Sequence, residues 1–442
     1  MINRRQLVLG TSASATIAIS FAAQWFLLTQ LGASRQLDAY FAALAVPTVM
    51  LYVVADPLYR VAIPVLAVSP DQRFGEFAWG TLQLTGLFFG LVAVALGIAA
   101  PVWVPLLTPG FEPGQQRLAA SLARWLLAGM VLQGLSGAAR AVWNAKHRFV
   151  FPAIASALSA VVSLVFLILS VKRLGVVAAA WAFDLRFLAE CVLLLPIMGW
   201  HAGGGALRPV ARRLFRDARP LILGAAYART DILVDRVLAS IAPVGSLSLL
   251  YLAQQILSAV GQVLNQTFVA PASPVLAQIA HRHEWGNFRK ALSSRAVRIG
   301  IIVLFVALCV PFSRPVLQLV FAHKNMDLAQ IDRLTILLIS LTGLLVGDSL
   351  GYLANIAFYS IGNTRTPAIV TGVVYSIIIP LKILVFAAVG IVGLAVCTSG
   401  YYIANVVVLA YFLNRNLRRI SLGSPSGQPS VFQPSPAPEV LP

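Results

Sequence analysis

The residues of this chain that could do chemistry are charges set inside long apolar runs. Asp38, Asp56, Arg60, Arg124, Arg140, Asp184, Arg186, Glu190, Arg229, Asp231, Asp235, Arg236, Asp348 and Lys382 all stand in such runs. An ionisable side chain at membrane depth is costly, so it faces a wet cavity, pairs with another group, or snorkels to an interface. Arginine dominates the cations. A guanidinium grips phosphate through two parallel hydrogen bonds and stays charged throughout, so several arginines around one cavity suit an anionic headgroup such as a lipid diphosphate. Residues 229–236 are the densest stretch. Arg229 and Arg236, seven apart, share one helix face, and Asp231 and Asp235, four apart, share another. The arginine face is expected to line the cavity, leaving Asp235 for an ion or proton. Arg186 and Glu190 are four apart and read as a structural ion pair. Asp56 and Arg60 have the same spacing beside Pro57, and there a structural pair and a ligand stand equal. Arg140, near the end of its apolar run, can snorkel; Arg124 has no such excuse.

The elements that must hold these residues are membrane helices. With 442 residues, 59% of them hydrophobic and 11% charged, the chain has too little polar surface for a soluble globule. A span takes roughly 20 apolar residues. Twelve candidates follow: 7–31, 38–67, 78–107, 118–143, 150–171, 176–199, 220–241, 247–279, 297–321, 333–359, 367–388 and 391–413. The sequence is also written twice. Leu7-Val8-Leu9-Gly10 returns as Leu221-Ile222-Leu223-Gly224, Pro64-Val65-Leu66-Ala67 as Pro274-Val275-Leu276-Ala277, Pro152-Ala153-Ile154 as Pro367-Ala368-Ile369, and Gly175 to Ala180 as Gly390 to Ala395. The expected fold is an all-α membrane protein of about twelve helices, in two six-helix lobes around a central cavity. An even number of spans per copy keeps both copies in one orientation, so the pseudo-two-fold axis runs along the membrane normal. The expected divisions are a first lobe over 1–200, a basic cytoplasmic linker over 201–219, a second lobe over 220–414 and a disordered tail over 415–442 rich in Pro and Ser.

Alternate loops divide the basic residues eighteen to six, which places both termini in the cytoplasm. That asymmetry accounts for much of the +18 net charge, so nucleic acid is not expected as a partner and anionic lipid headgroups are. Arg4-Arg5 before an apolar run imitates a twin-arginine export signal, but the repeated counterpart from Leu221 argues that the segment is retained. Cys191, Cys309 and Cys397 stand singly in apolar runs and read as small buried residues. No Walker loop, CxxC pair or HExxH stretch occurs. Neither an enzyme, an ATP-driven pump nor a metal site is expected.

Asp38-Ala39-Tyr40-Phe41, Val46-Pro47, Ile63-Pro64-Val65-Leu66, Thr108-Pro109-Gly110-Phe111, Val234 to Ser240 leading to Gly245-Ser246-Leu247-Ser248, and Gly390 to Thr398 resemble the MviN/MurJ family of lipid II flippases. The likeness runs from about residue 20 to 410. It implies membership of the multidrug/oligosaccharidyl-lipid/polysaccharide exporter superfamily, whose proteins move substrates by alternating access, here an undecaprenyl-linked saccharide in the bacterial inner membrane. This chain departs from the family pattern. Arginines expected around the helix-two Ile-Pro step correspond to Ala45 and Leu51-Tyr52, and one expected in the eighth helix corresponds to Gln255. The substrate-binding set is therefore expected to be Asp38, Arg60, Arg124, Arg229, Arg236 and Gln255. In the family a helix-seven aspartate, helix-eleven polar residues and a helix-twelve threonine hold sodium. Asp235 and Thr398 match that pattern while the helix-eleven places fall near Ile378 and Lys382, so the Lys382 ammonium is expected to replace the coupling cation, sodium or a proton, or to titrate. No other cofactor is expected. The other readings are a drug or cation antiporter of the same superfamily, which would favour acidic, aromatic cavity walls, and a scaffold for glycolipid synthesis enzymes, which would tolerate loss of Arg60 and Arg229.

Overall fold

The computed structural model describes residues 4–67, 71–198, 207–321 and 326–421, and within them the chain is helical with no strand. The helices are α1 (Arg4–Leu31), α2 (Arg35–Met50), α3 (Asp56–Ala67), α4 (Asp71–Ile98), α5 (Ala100–Leu107), α6 (Pro113–Ala145), α7 (Val150–Leu174), α8 (Val177–Leu194) and α9 (Leu207–Ile241). They continue as α10 (Ser246–Leu264), α11 (Ala272–His281), α12 (Trp285–Cys309), α13 (Arg314–Phe321), α14 (Leu328–Ser340), α15 (Gly343–Val346), α16 (Tyr352–Ser360), α17 (Arg365–Val389) and α18 (Ile391–Ser421).

Among the described residues, ten helical stretches are long and apolar enough to cross a membrane, by length and composition. The other two expected spans are helical as well, but their charged residues keep them from being marked as spans. α8 carries Asp184, Arg186 and Glu190, and α9 carries Arg229, Asp231, Asp235 and Arg236 in its apolar part. The two segments with the most charges in their apolar runs are thus those richest in candidate site residues.

The repeat is legible in the backbone. Left-handed residues recur at the repeat spacing: Gly32 (φ 64°) and Gly245 (φ 86°), His147 (φ 55°) and Gly362 (φ 75°), Gly175 (φ 58°) and Gly390 (φ 72°). Wide π turns occupy Leu51–Ala55 and Asn265–Val269, again the same step apart. A proline stands close behind each, Pro57 and Pro271. Proline offers no N–H and crowds the carbonyl four residues earlier, and widening the turn relieves both. In each, the next residue's N–H reaches back to the turn's first carbonyl: Asp56 to Leu51 and Ala270 to Asn265. A third wide turn, Gly347–Gly351, lies between α15 and α16.

The chain forms two compact units, one of Met1–Leu252 with Leu317–Ile331 and one of Ala253–Val316 with Asp332–Pro442. In the first, α6 packs against α2, α3, α4 and α8, and α9 packs against α2, α3, α4 and α5. Residues 317–331 join this unit through Trp25 Nε1, which donates to the Val320 carbonyl (3.3 Å), and Gln330 Nε2, which donates to Ala33 (3.4 Å). In the second, α18 packs against α15, α16 and α17, and α11 against α12 and α16.

Two expected irregular stretches are helical in part. Residues 207–219, read as a linker, form the first turns of α9, because their arginines are good helix formers. Residues 415–421, read as the start of the tail, extend α18, whose last turn carries Arg418 and Arg419 where cations favour the helix dipole. The remainder of both stretches lies outside the described residues.

Candidate functional site

The first unit gathers arginines around one carboxylate. Asp56 opens α3 directly after the wide turn, and Arg60 follows one helical turn later on the same face. Arg140 of α6 and Arg229 of α9 also come within electrostatic reach of Asp56. Arg60 and Arg229 are exposed and Arg140 is half-buried. Three guanidiniums against one carboxylate leave a surplus of positive charge. Beside them lies a recess of about 300 Å³, with Asp56, Tyr59, Gln133, Arg140 and Asn144 as its polar lining and Leu51, Ala55 and Ile63 among its apolar lining.

Small residues bring α3 close enough to α6 to build this recess. Tyr59 donates its hydroxyl to the Gly134 carbonyl (2.5 Å), and its ring lies where a side chain at Gly137 would go, 2.3 Å from a Cβ placed there. Gly137→Ala should force the Tyr59 ring away, with an overpacking cost of about 1–3 kcal/mol. The expected result is a lower melting midpoint in detergent together with slower transport; unchanged melting would contradict this packing.

Arg140 also reaches the other way. Its Nε stands 3.6 Å from Glu190, whose side chain is buried. The ion pair read along α8 is therefore replaced by one between helices, with Arg186 close enough only for longer-range attraction. Spacing on one helix shows which side chains can meet, but not that a neighbouring helix supplies a nearer partner.

Asp38 is spoken for. Its carboxylate is 3% exposed and accepts the Gly245 N–H (2.6 Å), the Ser248 N–H (2.8 Å) and the Ser248 hydroxyl. These donors belong to the start of α10, so Asp38 of α2 acts as that helix's N-cap from outside. Gly245 suits the place: its φ is +86° and a Cβ there would lie 2.6 Å from the Ala33 carbonyl oxygen.

Arg236 does not join Arg229. It is 5% exposed, its guanidinium lies over Tyr251 at 4.9 Å, and Tyr251 stacks on Phe41 at 4.1 Å. Seven residues share a face yet differ by about 10 Å in depth, which here separates an exposed position from a packed one. Arg124 is likewise apart, about 24 Å along α6 from Arg140. Its Nε points to the Gly97 carbonyl (3.4 Å), and it lines a different recess with Pro101, Pro105, Gln116 and Arg117. Of the expected substrate residues in this unit, Arg60 and Arg229 stand together at Asp56, Asp38 and Arg236 lie within electrostatic reach of each other, and Arg124 stands apart; Arg140 is the member that snorkelling had explained away.

A family model described as lipid II flippase MurJ matches residues 27–426. The chain belongs to this family. A probable lipid II flippase MurJ of Synechocystis is 22% identical over 419 residues, covering 89% of this chain and 78% of that one. A solved structure of the lipid II flippase MurJ in an inward closed conformation superposes with a TM-score of 0.81 at 17% identity, covering 94% of this chain and 90% of that one. An inward-facing multidrug resistance MATE transporter of the MOP superfamily gives 0.78 at 14% identity, with 95% and 99% covered. The chain is a multi-pass, all-α membrane protein with the MurJ/MATE fold.

Against the MurJ pattern one exchange stands out. Tyr52 occupies a place where the family resemblance leads one to expect arginine, and the Arg229 guanidinium lies over the Tyr52 ring at 4.3 Å. A cation is thus delivered to that place from α9 instead of from the wide turn Leu51–Ala55, seated on an aromatic face. Gln255, Lys382 and Thr398 belong to the second unit. Gln255 is half-buried, Lys382 has no exposed surface, and Thr398 is buried with its hydroxyl donating to the Leu394 carbonyl (3.0 Å). Asp235 of the first unit is 4% exposed.

Proposed function

We propose that this protein carries an undecaprenyl-diphosphate-linked saccharide, lipid II or a related oligosaccharide precursor, from the inner to the outer leaflet of the bacterial inner membrane by alternating access, with both termini cytoplasmic. The observation that carries the reading is the cluster of Arg60, Arg140 and Arg229 around Asp56 beside a polar recess, in a chain of the MurJ family. Planar guanidiniums suit a diphosphate, and a partly apolar setting strengthens their grip by weakening solvent screening. The polyprenyl tail stays in lipid while the headgroup travels. A surplus of fixed cations disfavours a cationic drug as cargo. Complementation of a strain depleted of its lipid II flippase tests the proposal: rescue by this chain, lost in the Arg60→Ala, Arg229→Ala double variant, supports it. Rescue that survives the double variant would favour a scaffold for glycolipid synthesis enzymes.

For ion coupling, we infer that Asp235 in the first unit and Lys382 and Thr398 in the second take the roles that the family resemblance gives their positions, with the Lys382 ammonium standing in place of a bound cation. Lys382→Met and Asp235→Asn should each impair transport, read as lipid II movement in proteoliposomes. Wild-type rates in both variants would contradict the inference.

A further inference from the structure

Asp348 is a carboxylate at membrane depth that neither the arginine cluster nor the Asp235–Lys382 proposal uses. It lies in the wide turn Gly347–Gly351. Its Oδ2 rests against Gly261 of α10, 2.8 Å from where a Cβ would stand. Asn265 is four residues beyond Gly261 and so continues the same helix face. It is also the first residue of the wide turn Asn265–Val269, which packs against the turn holding Asp348.

The acceptors at this meeting of turns are uncommitted. Asn265 Oδ1 and Ser349 Oγ are buried and have no hydrogen-bond partner, and Ser349 has no exposed surface. Asp348 has no hydrogen bond or charge partner among the described residues. On the packed helices, Arg298 of α12 is exposed and bonds Ser294 (2.9 Å), Arg295 Nη1 is buried without an acceptor, and Arg415, Arg418 and Arg419 stand at the far end of α18. A wide turn also interrupts the regular main-chain ladder and frees carbonyl oxygen for a ligand.

Such a donor set is selective. It is all hard oxygen, with neither thiolate nor imidazole, which excludes the softer transition metals. One carboxylate among neutral oxygens balances a single positive charge, whereas calcium and magnesium favour more carboxylates or retained waters. We propose that Asp348, Asn265 and Ser349 form a sodium-binding site where the two wide turns of the second unit meet. The site uses residues other than Asp235 and Thr398 and goes beyond the substrate reading, on which it depends only for any part in driving transport.

The test is sodium binding to the purified full chain in detergent, read by radioactive sodium uptake and by the melting midpoint, with potassium holding ionic strength constant and pH varied separately. The wild type should bind sodium and melt at a higher temperature as sodium rises. Asp348→Asn should weaken this response by more than about tenfold, Asn265→Ala should weaken it by a similar order, and Gly261→Ala should weaken it by pressing a methyl group on the carboxylate without changing charge. Asp235→Asn and Lys382→Met should leave it intact. A wild-type response in Asp348→Asn would overturn the proposal, as would a response to pH in place of sodium, or loss in Asp235→Asn alone. Failure to move lipid II while Asp348-dependent sodium binding persists would count against the flippase reading only.

Discussion

Arg229→Ala should lower the rate of lipid II movement in proteoliposomes by about ten- to a hundredfold, and adding Tyr52→Arg to that variant should restore most of the lost rate. The magnitude follows from one charge-assisted contact to phosphate worth about 1.5–3 kcal/mol, at about 1.4 kcal/mol per factor of ten. The rescue follows from geometry. Arg229 reaches over the Tyr52 ring at 4.3 Å, so an arginine at position 52 places its own guanidinium close to the vacated region. A lost charge that merely destabilised α9 would not be repaired from the wide turn that holds position 52. Rate loss in Arg229→Ala that Tyr52→Arg fails to improve, with both variants folded, would show that the ring contact is packing and that the diphosphate is gripped elsewhere.

Asp38→Ala removes the acceptor for two main-chain N–H groups and one hydroxyl at a buried helix start. Each orphaned donor costs about 1–3 kcal/mol, so a loss on the order of 3–5 kcal/mol is expected after partial relaxation. Thermal unfolding in detergent should show it as a midpoint lower by about 5–10 °C. Asp38→Asn keeps one acceptor oxygen while its amide confronts a second donor, so it should fall between the wild type and the alanine variant. The opposite pattern, normal melting with lost transport, would return Asp38 to the substrate and remove it from the α10 cap.

The class of the molecule was readable from its residues because hydropathy and repetition are one-dimensional properties. Gly175 and Gly390 mark the repeat as letters, and both adopt left-handed backbone at the end of 25-residue helices, α7 and α17. The site was readable only in part, since a site is a set of distances between helices. Helical spacing placed Arg229 and Arg236 on one face but is silent on depth, and the two differ in burial because Tyr251 and Phe41 pack around only the second. Likewise it paired Glu190 with Arg186 on its own helix, when α6 brings Arg140 alongside. Asp56 and Arg140 lie 84 positions apart, and nothing local to either announces the other. Pro57 and Pro271 follow the wide turns in plain letters, yet a proline in sequence does not say that its turn opens by a whole residue, which is what leaves Asn265 at the meeting of two turns.

The most direct test of the account is equilibrium binding of fluorescent lipid II to the purified protein, comparing Arg60→Ala, Arg140→Ala and Arg229→Ala with Arg124→Ala. The three arginines around Asp56 should each weaken binding by about tenfold or more, with a smaller salt dependence, while Arg124→Ala binds as the wild type does. Equal affinity in all four variants, or loss confined to Arg124→Ala, would contradict the claim that this cluster holds the diphosphate.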